Sequence, residues 1–310
     1  MAAPAARVDP DIGAFLDYLR AECGLSENTL AAYRHDLELL SAHLRGEPLA
    51  GASREALVRF LAAEAKRTSA VTVCRRIATI HMFYRFLRSE NPRAPDPAAV
   101  LERPETWDRL PRVLSPADVT ALLAAPAADF NAPRRSRKEF QRALCLRDTA
   151  LLETLYATGC RASEVADLEL AAVNLEIGYL RCRGKGAKER IVPVGSAARA
   201  AISRYLGRGR PRLAGGKSPP FLFLSRTGGR LDRINVWRLV KYYLQVAGIT
   251  KRASTHTLRH SFATHMLQGG AGLRVIQEML GHASPTTTQV YTHLDRRALL
   301  EAHKKYHPRG

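Results

Sequence analysis

Arg161 in ATGCRASE, Lys185 in GKGAKER, His256 and Arg259 in HTLRHSFATH, His282 in LGHAS and Tyr291 in TTTQVYTH are the residues whose types and order offer chemistry. Taken singly, each has an ordinary explanation as an ion pair, a solvated turn lysine or a packed helix side chain. Taken together, they supply two arginines, one lysine, two histidines and one tyrosine. They come with no carboxylate cluster to hold Mg²⁺ and no Ser or Cys paired with a base. That set suits phosphoryl transfer from DNA without a metal. Guanidinium gives the bidentate donors that nonbridging phosphate oxygens need, and Arg161 and Arg259 are the candidates. A tyrosine hydroxyl, with an ordinary pKa near ~10, needs a base to become a nucleophile, and the leaving deoxyribose oxygen needs an acid. His256 and Lys185 are available for those two tasks. A phosphotyrosine keeps the energy of the broken linkage, so rejoining needs no ATP. No cofactor and no metal are expected.

Two competing readings of the same motifs are weak. His256 and His260 lie four apart on a helical pattern but have no third zinc ligand at a helpful spacing and no acid between them. GKGAKER lacks the GxxxxGK[ST] order and sits in a hairpin pattern, not at a strand-to-helix turn.

The elements that must position these residues follow from length, charge and periodicity. At 310 residues the chain has room for about two domains. Its 46% hydrophobic and 25% charged content excludes a disordered or fibrous protein. No apolar run reaches membrane-spanning length, and the Ala-rich start lacks the pattern of a secretory signal, so a cytoplasmic protein is expected. Five cysteines, an odd number with no CxxC pair, fit a reducing compartment.

The formal charge is +19, and it is unevenly spread. Residues 1–103 carry 14 basic against 13 acidic side chains, while residues 104–310 carry 34 against 16. Such a field favours a polyanionic partner, nucleic acid above acidic lipid, because the basic residues are not gathered on one amphipathic helix.

Residues 1–90 read as four amphipathic helices, with Ile12, Phe15, Leu16 and Leu19 on the first and Val73, Ile77, Ile80, Tyr84 and Leu87 on the fourth. The prolines from Pro92 to Pro111 place a linker at 91–112. A second unit, 113–310, opens with the cap Ser115-Pro116-Ala117-Asp118. Its first helix is expected to end before Pro126, followed by a surface loop up to Gln141. Helix then resumes to Thr158 and stops at Gly159. Residues 178–195 have the alternation of a β-hairpin, Phe221 to Leu224 suggests another strand, and everything after Asp232 reads as helices. The fold class is mostly α with a small antiparallel β-sheet.

The ordered signature Arg161, Lys185, His256-x-x-Arg259, His282 and Tyr291 resembles that of the tyrosine recombinases, also called the phage integrase family, and most closely its Xer group. The surrounding wording matches too, in YATGCRASEVADL, GKGAKERIVPVG, HTLRHSFATHMLQGGAGLRVIQEMLGHAS and TTTQVYTH. The resemblance covers nearly the whole chain and is strongest from Leu146 to Leu294. It implies a two-domain DNA clamp, with a helical, SAM-like core-binding domain ahead of the catalytic domain.

It also implies roles. Arg161, Arg259 and His282 bind the scissile phosphate, Tyr291 attacks it, Lys185 protonates the leaving 5′ oxygen and His256 helps deprotonate the tyrosine. Glu164 steadies Arg161. The family works as a homo- or hetero-tetramer with a second Xer recombinase on double-stranded DNA sites and resolves chromosome or plasmid dimers. A C-terminal helix, here Asp295 to Lys305, passes between neighbours, and the FtsK translocase is an implied partner.

Two features depart from the pattern: residues 126–140 are longer than the usual connection, and Cys160 replaces a larger aliphatic residue. The alternatives are a mobile-element integrase, a type IB topoisomerase and a DNA-binding protein that no longer cuts.

Overall fold

The computed structural model describes residues 9–23, 25–102, 113–132, 139–184, 189–281 and 296–310. The chain divides into two compact units, Met1–Asp108 and Arg109–Gly310.

The first unit is a bundle of α1 (Pro10–Ala21), α2 (Glu27–Leu44), α3 (Arg54–Ala65) and α4 (Ala70–Glu90). Each helix begins on a side-chain cap. Asp9 accepts from the Asp11 amide at 3.0 Å, Ser26 from Thr29 at 3.4 Å, Ser53 from Ala56 at 3.2 Å and Ser69 from Thr72 at 3.3 Å. The apolar stripes meet in one core, where Phe15 packs edge-on against Phe83 with ring centroids 5.4 Å apart. Beside that core, α2, α3 and α4 bury a charged network. Asp36 accepts from Arg75, Arg76 and the Thr79 hydroxyl, and Glu64 accepts from Arg76.

The second unit begins with α5 (Pro116–Asn131), closed by reciprocal bonds between Ser115 and Asp118 of 3.1 and 2.9 Å. Here the expected boundary is corrected: α5 runs through Pro126 to Asn131. A proline inside a helix forfeits a backbone bond. Pro126, however, is buried beside Leu122, Leu123 and Ala125, and that packing carries the helix across it. Residues 126–131 are therefore helical, not loop; residues 133–138 lie outside the described residues.

Next comes α6 (Glu139–Thr158), the central helix, whose last nine residues are all buried. A short α7 (Ala162–Ala166) leads to an antiparallel sheet of β1 (Val173–Asn174), β2 (Tyr179–Arg183) and β3 (Glu189–Pro193), in the order β1-β2-β3. The hairpin register pairs Arg183 with Glu189 and Cys182 with Arg190. Helices α8 (Ser196–Arg204) and α9 (Arg210–Ala214) follow.

The run Phe221 to Leu224 is not a ladder strand, which corrects a second expectation. It makes two isolated bridges, Glu169 with Phe221 and Leu224 with Arg230. Backbone meets the Leu222 amide, which donates to the Leu168 carbonyl, and the Phe223 carbonyl, which accepts from the Leu231 amide; side chains meet others: Arg210 donates to the Phe221 carbonyl, Arg147 donates to the Leu224 carbonyl, and the Tyr205 hydroxyl accepts from the Leu224 amide. With its bonds made this way, the run needs no neighbouring strand.

The chain ends in α10 (Arg233–Val246), α11 (Thr255–Gln268), α12 (Leu273–Leu280) and α13 (Arg296–Tyr306). Leu299 of α13 is buried with Phe262, Met266 and Ile276 of α11 and α12. No helix among the described residues is long and apolar enough to cross a membrane.

Candidate active site

Two helix ends and one carboxylate build the site. Helix α6 stops at Gly159, whose φ of +58° is left-handed. A Cβ there would lie 2.6 Å from the Phe262 ring, so only glycine fits. Helix α12 stops in the same way at Gly281, φ +67°, where a Cβ would lie 2.9 Å from the Arg190 side chain. Each stop leaves helix-terminal carbonyls without intrahelical donors, at the negative end of a helix dipole.

Arginines fill those positions. Arg259 of α11, only 8% exposed, donates from Nη1 to the Gly159 carbonyl at 2.7 Å and from Nη2 to the Leu280 carbonyl at 2.6 Å. Arg190 of β3 donates from Nε to the Met279 carbonyl at 2.9 Å. Both guanidiniums are thus oriented by backbone that the helix stops set in place.

Past Gly159 the chain is extended at Arg161, which precedes α7. The Arg161 amide donates to Glu164 Oε2 at 2.7 Å, and its Nη1 donates to Oε1 at 2.9 Å. Arg190 grips the same carboxylate with both terminal nitrogens, at 2.9 and 2.8 Å. Burial works to raise the Glu164 carboxyl, but the bonds from Arg190 and Arg161 outweigh it and hold the group below the usual carboxylate range. Arg190 shows the converse: burial works against its charge, and Glu164 raises it.

Arg259 is the strained member. Desolvation first, and then the nearby Arg161, push its guanidinium down to about 10. Among the described residues, Arg161, Arg190 and Arg259 gather around the single carboxylate of Glu164. Positive charge is in surplus, and the Arg161 side chain, 40% exposed, opens the group to solvent.

His256 stands in the first turn of α11, one turn before Arg259, and is exposed. Its helix start is held by a Ser254–Thr257 box, with the Ser254 amide bonded to Thr257 Oγ1 at 3.1 Å. Of the sequence candidates, then, Arg161 and Arg259 come together, with Glu164 in the steadying position read for it and His256 on the same helix as Arg259. Lys185, His282 and Tyr291 lie outside the described residues. In the sequence, Lys185 falls between β2 and β3, His282 follows Gly281, and Tyr291 precedes α13.

Arg190 is a site residue that the motif reading passed over. A signal was present: Arg190 shares the inward strand face with Val192, two residues on, where alternation calls for an apolar side chain. A charged residue at such a position needs a buried partner, and Glu164 is that partner.

Known proteins are similar to this chain. A family model described as the phage integrase family matches residues 112–297, and one described as the phage integrase N-terminal SAM-like domain matches residues 12–91. The chain is 42% identical to the tyrosine recombinase XerD of Pseudomonas aeruginosa over 304 residues, covering 97% of this chain and 98% of that one. It is 40% identical to XerD of Chlorobaculum tepidum over 301 residues, covering 96% and 95%. Among solved structures, the XerH recombinase bound to difH in a pre-cleavage complex shares the fold, with a TM-score of 0.68, 21% identity and coverage of 97% and 96%.

Proposed function

We propose a division of labour for this chain, which belongs to the phage integrase family and is a site-specific tyrosine recombinase. Arg161, Arg259 and His282 bind the scissile phosphate. The Tyr291 hydroxyl attacks phosphorus, with His256 helping to take its proton, and the bond to the 5′ oxygen breaks as Lys185 protonates that oxygen. A 3′-phosphotyrosine results, and a 5′ hydroxyl from the exchanging strand reverses the step. Neither metal nor ATP is consumed in this scheme.

The observation that carries the reading is the surplus of guanidinium over carboxylate around Glu164. An internal ion-pair network would balance its charges. This one leaves positive charge over, with Arg161 reaching solvent, and the transferring phosphoryl group is the anion that would balance it. Arg190 and Glu164 act as positioning residues for Arg161.

Residues 1–90 serve as the core-binding domain and 113–310 as the catalytic domain, joined by 91–112, and together they close on a duplex recombination site. XerH is captured on difH DNA, and a corresponding site is the natural substrate class here. The working assembly is a tetramer, alone or with a second Xer recombinase, with the C-terminal helix shared between neighbours. It acts in the cytoplasm, resolves chromosome or plasmid dimers, and takes FtsK as a partner. Similarity to XerD over nearly the full length favours this over a mobile-element integrase.

The test is covalent capture on nicked suicide DNA carrying candidate sites. Wild type should give a denaturant-resistant protein–DNA band on one site, and Tyr291→Phe should give none while binding the same DNA. Equal reaction by both proteins would overturn the assignment of Tyr291.

A further inference from the structure

One pair of nucleophilic side chains adjoins the site without a part in the reaction. Cys160 and Cys182 are both thiols, 1% and 2% exposed, and their sulfurs stand 3.0 Å apart. Cys160 directly precedes Arg161, and Cys182 faces Arg190 across the β2–β3 ladder. A bond between them would join the turn that presents Arg161 to the strand pair that presents Arg190.

We infer that Cys160 and Cys182 form a reversible disulfide under a two-electron peroxide oxidant, and that this bond lowers DNA cleavage by shifting the Arg161 turn. The bond rests on the sulfur geometry alone; its consequence for cleavage rests on the function proposed above.

Cys160 is the attacking group. Its sulfur lies 3.9 Å from Arg190 Nη2, and a neighbouring cation favours thiolate. The hydrogen bond from the Cys182 thiol acts in the same direction, holding Cys160 below the ordinary thiol range and Cys182 well above it. The thiolate attacks one oxygen of hydrogen peroxide and the O–O bond breaks. The departing hydroxide takes up the thiol's released proton as water, leaving a sulfenic acid on Cys160. Cys182 sulfur then attacks that sulfur. The S–O bond breaks, the Cys182 proton leaves with the hydroxide as a second water, and the S–S bond forms. Two thiols are oxidised by one electron pair, and one peroxide is reduced to two waters.

A disulfide needs its sulfurs about 2.05 Å apart, so this pair must close by about 1 Å. That movement disturbs the bonds by which Glu164 orients Arg161 and Arg190 orients Glu164. Misplacement of a phosphate-binding group on this scale costs rate steeply, by up to about 100-fold.

The experiment treats the full reduced chain with hydrogen peroxide under native conditions. Non-reducing peptide mapping by mass spectrometry reads the bond, and nicked suicide DNA reads cleavage. The expected result is a Cys160–Cys182 linked peptide as the dominant cross-link, with exposed Cys23 as the internal control for unselective oxidation. Cleavage should fall at least about tenfold and return with dithiothreitol, while Cys160→Ser and, as a second variant, Cys160→Ala, which lack the attacking sulfur, keep full cleavage through peroxide treatment. Absence of the linked peptide would overturn the inference. So would a linked protein that cleaves as fast as the reduced one, or variants that lose cleavage to peroxide as the wild type does. The peptide map is independent of DNA, so a chain that never cleaves would count against the proposed function and leave the bond measured.

Discussion

Two buried arginine networks in this molecule resemble each other in parts and differ in balance. In the first unit, Arg75 and Arg76 meet two carboxylates, Asp36 and Glu64, and the Thr79 hydroxyl completes the set. The two buried carboxylates meet Arg75 and Arg76 one for one, the exposed Arg67 reaches Glu64 from outside at 3.7 Å, and the network ties α2, α3 and α4 together. In the second unit, Arg161 and Arg190 share the one carboxylate of Glu164, Arg259 beside them donates to backbone carbonyls, and such carbonyls at two helix ends supply most of the other acceptors. Carbonyls orient a guanidinium without neutralising it. The first arrangement holds structure, and the second holds structure while leaving positive charge uncompensated, which is the charge the proposed function assigns to the scissile phosphate. Buried charge marks function here through its surplus, which a count of ion pairs would miss.

The largest test of this difference is Arg259→Ala, expected to lower covalent capture on the order of 1000-fold, as loss of one preorganised donor to a developing oxyanion does. Arg259→Lys should fare little better, because one ammonium cannot reach both the Gly159 and Leu280 carbonyls and a phosphate oxygen. Asp36→Ala leaves two arginines in the first unit without their shared acceptor and should cost about 3 kcal/mol, read from the urea midpoint. Its cleavage per folded molecule should stay unchanged. Glu164→Gln should lower both stability and cleavage; if cleavage were untouched, the contrast between the networks would fail.

Acid should separate the units further. In the second unit His265, His303 and His307 are buried around α13, with His265 bonded to the Tyr156 hydroxyl at 2.8 Å and His303 to the Ala157 carbonyl at 2.8 Å. Desolvation lowers all three, and His307, also beside His303, drops to about 3. Each is a base whose folded pKa lies below its unfolded one, so the unfolded chain takes up the protons first. Stability is complete above the ordinary histidine value of about 6.5 and is lost as pH falls from there toward about 3. Buried Glu153 and Asp148, both raised by desolvation despite Arg309 and Arg147, contribute with the opposite sign. Melting followed from pH 7 to 5 should show the second unit weakening. A flat profile would mean the imidazoles are hydrated in solution.

The smallest effect is expected at the surface. Arg20, with Asp17 and Glu27, is at least half exposed, and Arg20→Ala should shift the urea midpoint only marginally. A larger value would weaken the claim that burial gives the two networks their weight.

Local chemistry made much of this legible in advance. The apolar stripes of the first bundle, the Ser115 cap of the second unit, the glycine stop after Thr158 and the alternation of the hairpin are all written over a few neighbouring residues. The departures share one cause. Pro126 stays helical because of what its buried face meets, and Phe221 to Leu224 skip a ladder because Arg210, Arg147 and Tyr205 arrive from elsewhere with the missing bonds. Arg190 went unread for the same reason, its partner lying 26 positions away.

By itself, then, the sequence determined most element types, the mostly helical class with its small sheet, and the family to which the chain belongs, and it named the six signature residues for which roles are proposed. Their order along the chain says nothing about distance. Only the tertiary structure decided that the ends of α6 and α12 point carbonyls at Arg259 and Arg190, that one carboxylate serves two arginines, and that two cysteines 22 positions apart touch beside them. Caps and periodicities are set by neighbours along the chain, whereas the balance of a buried charge is set by whatever folding brings within a few ångströms of it.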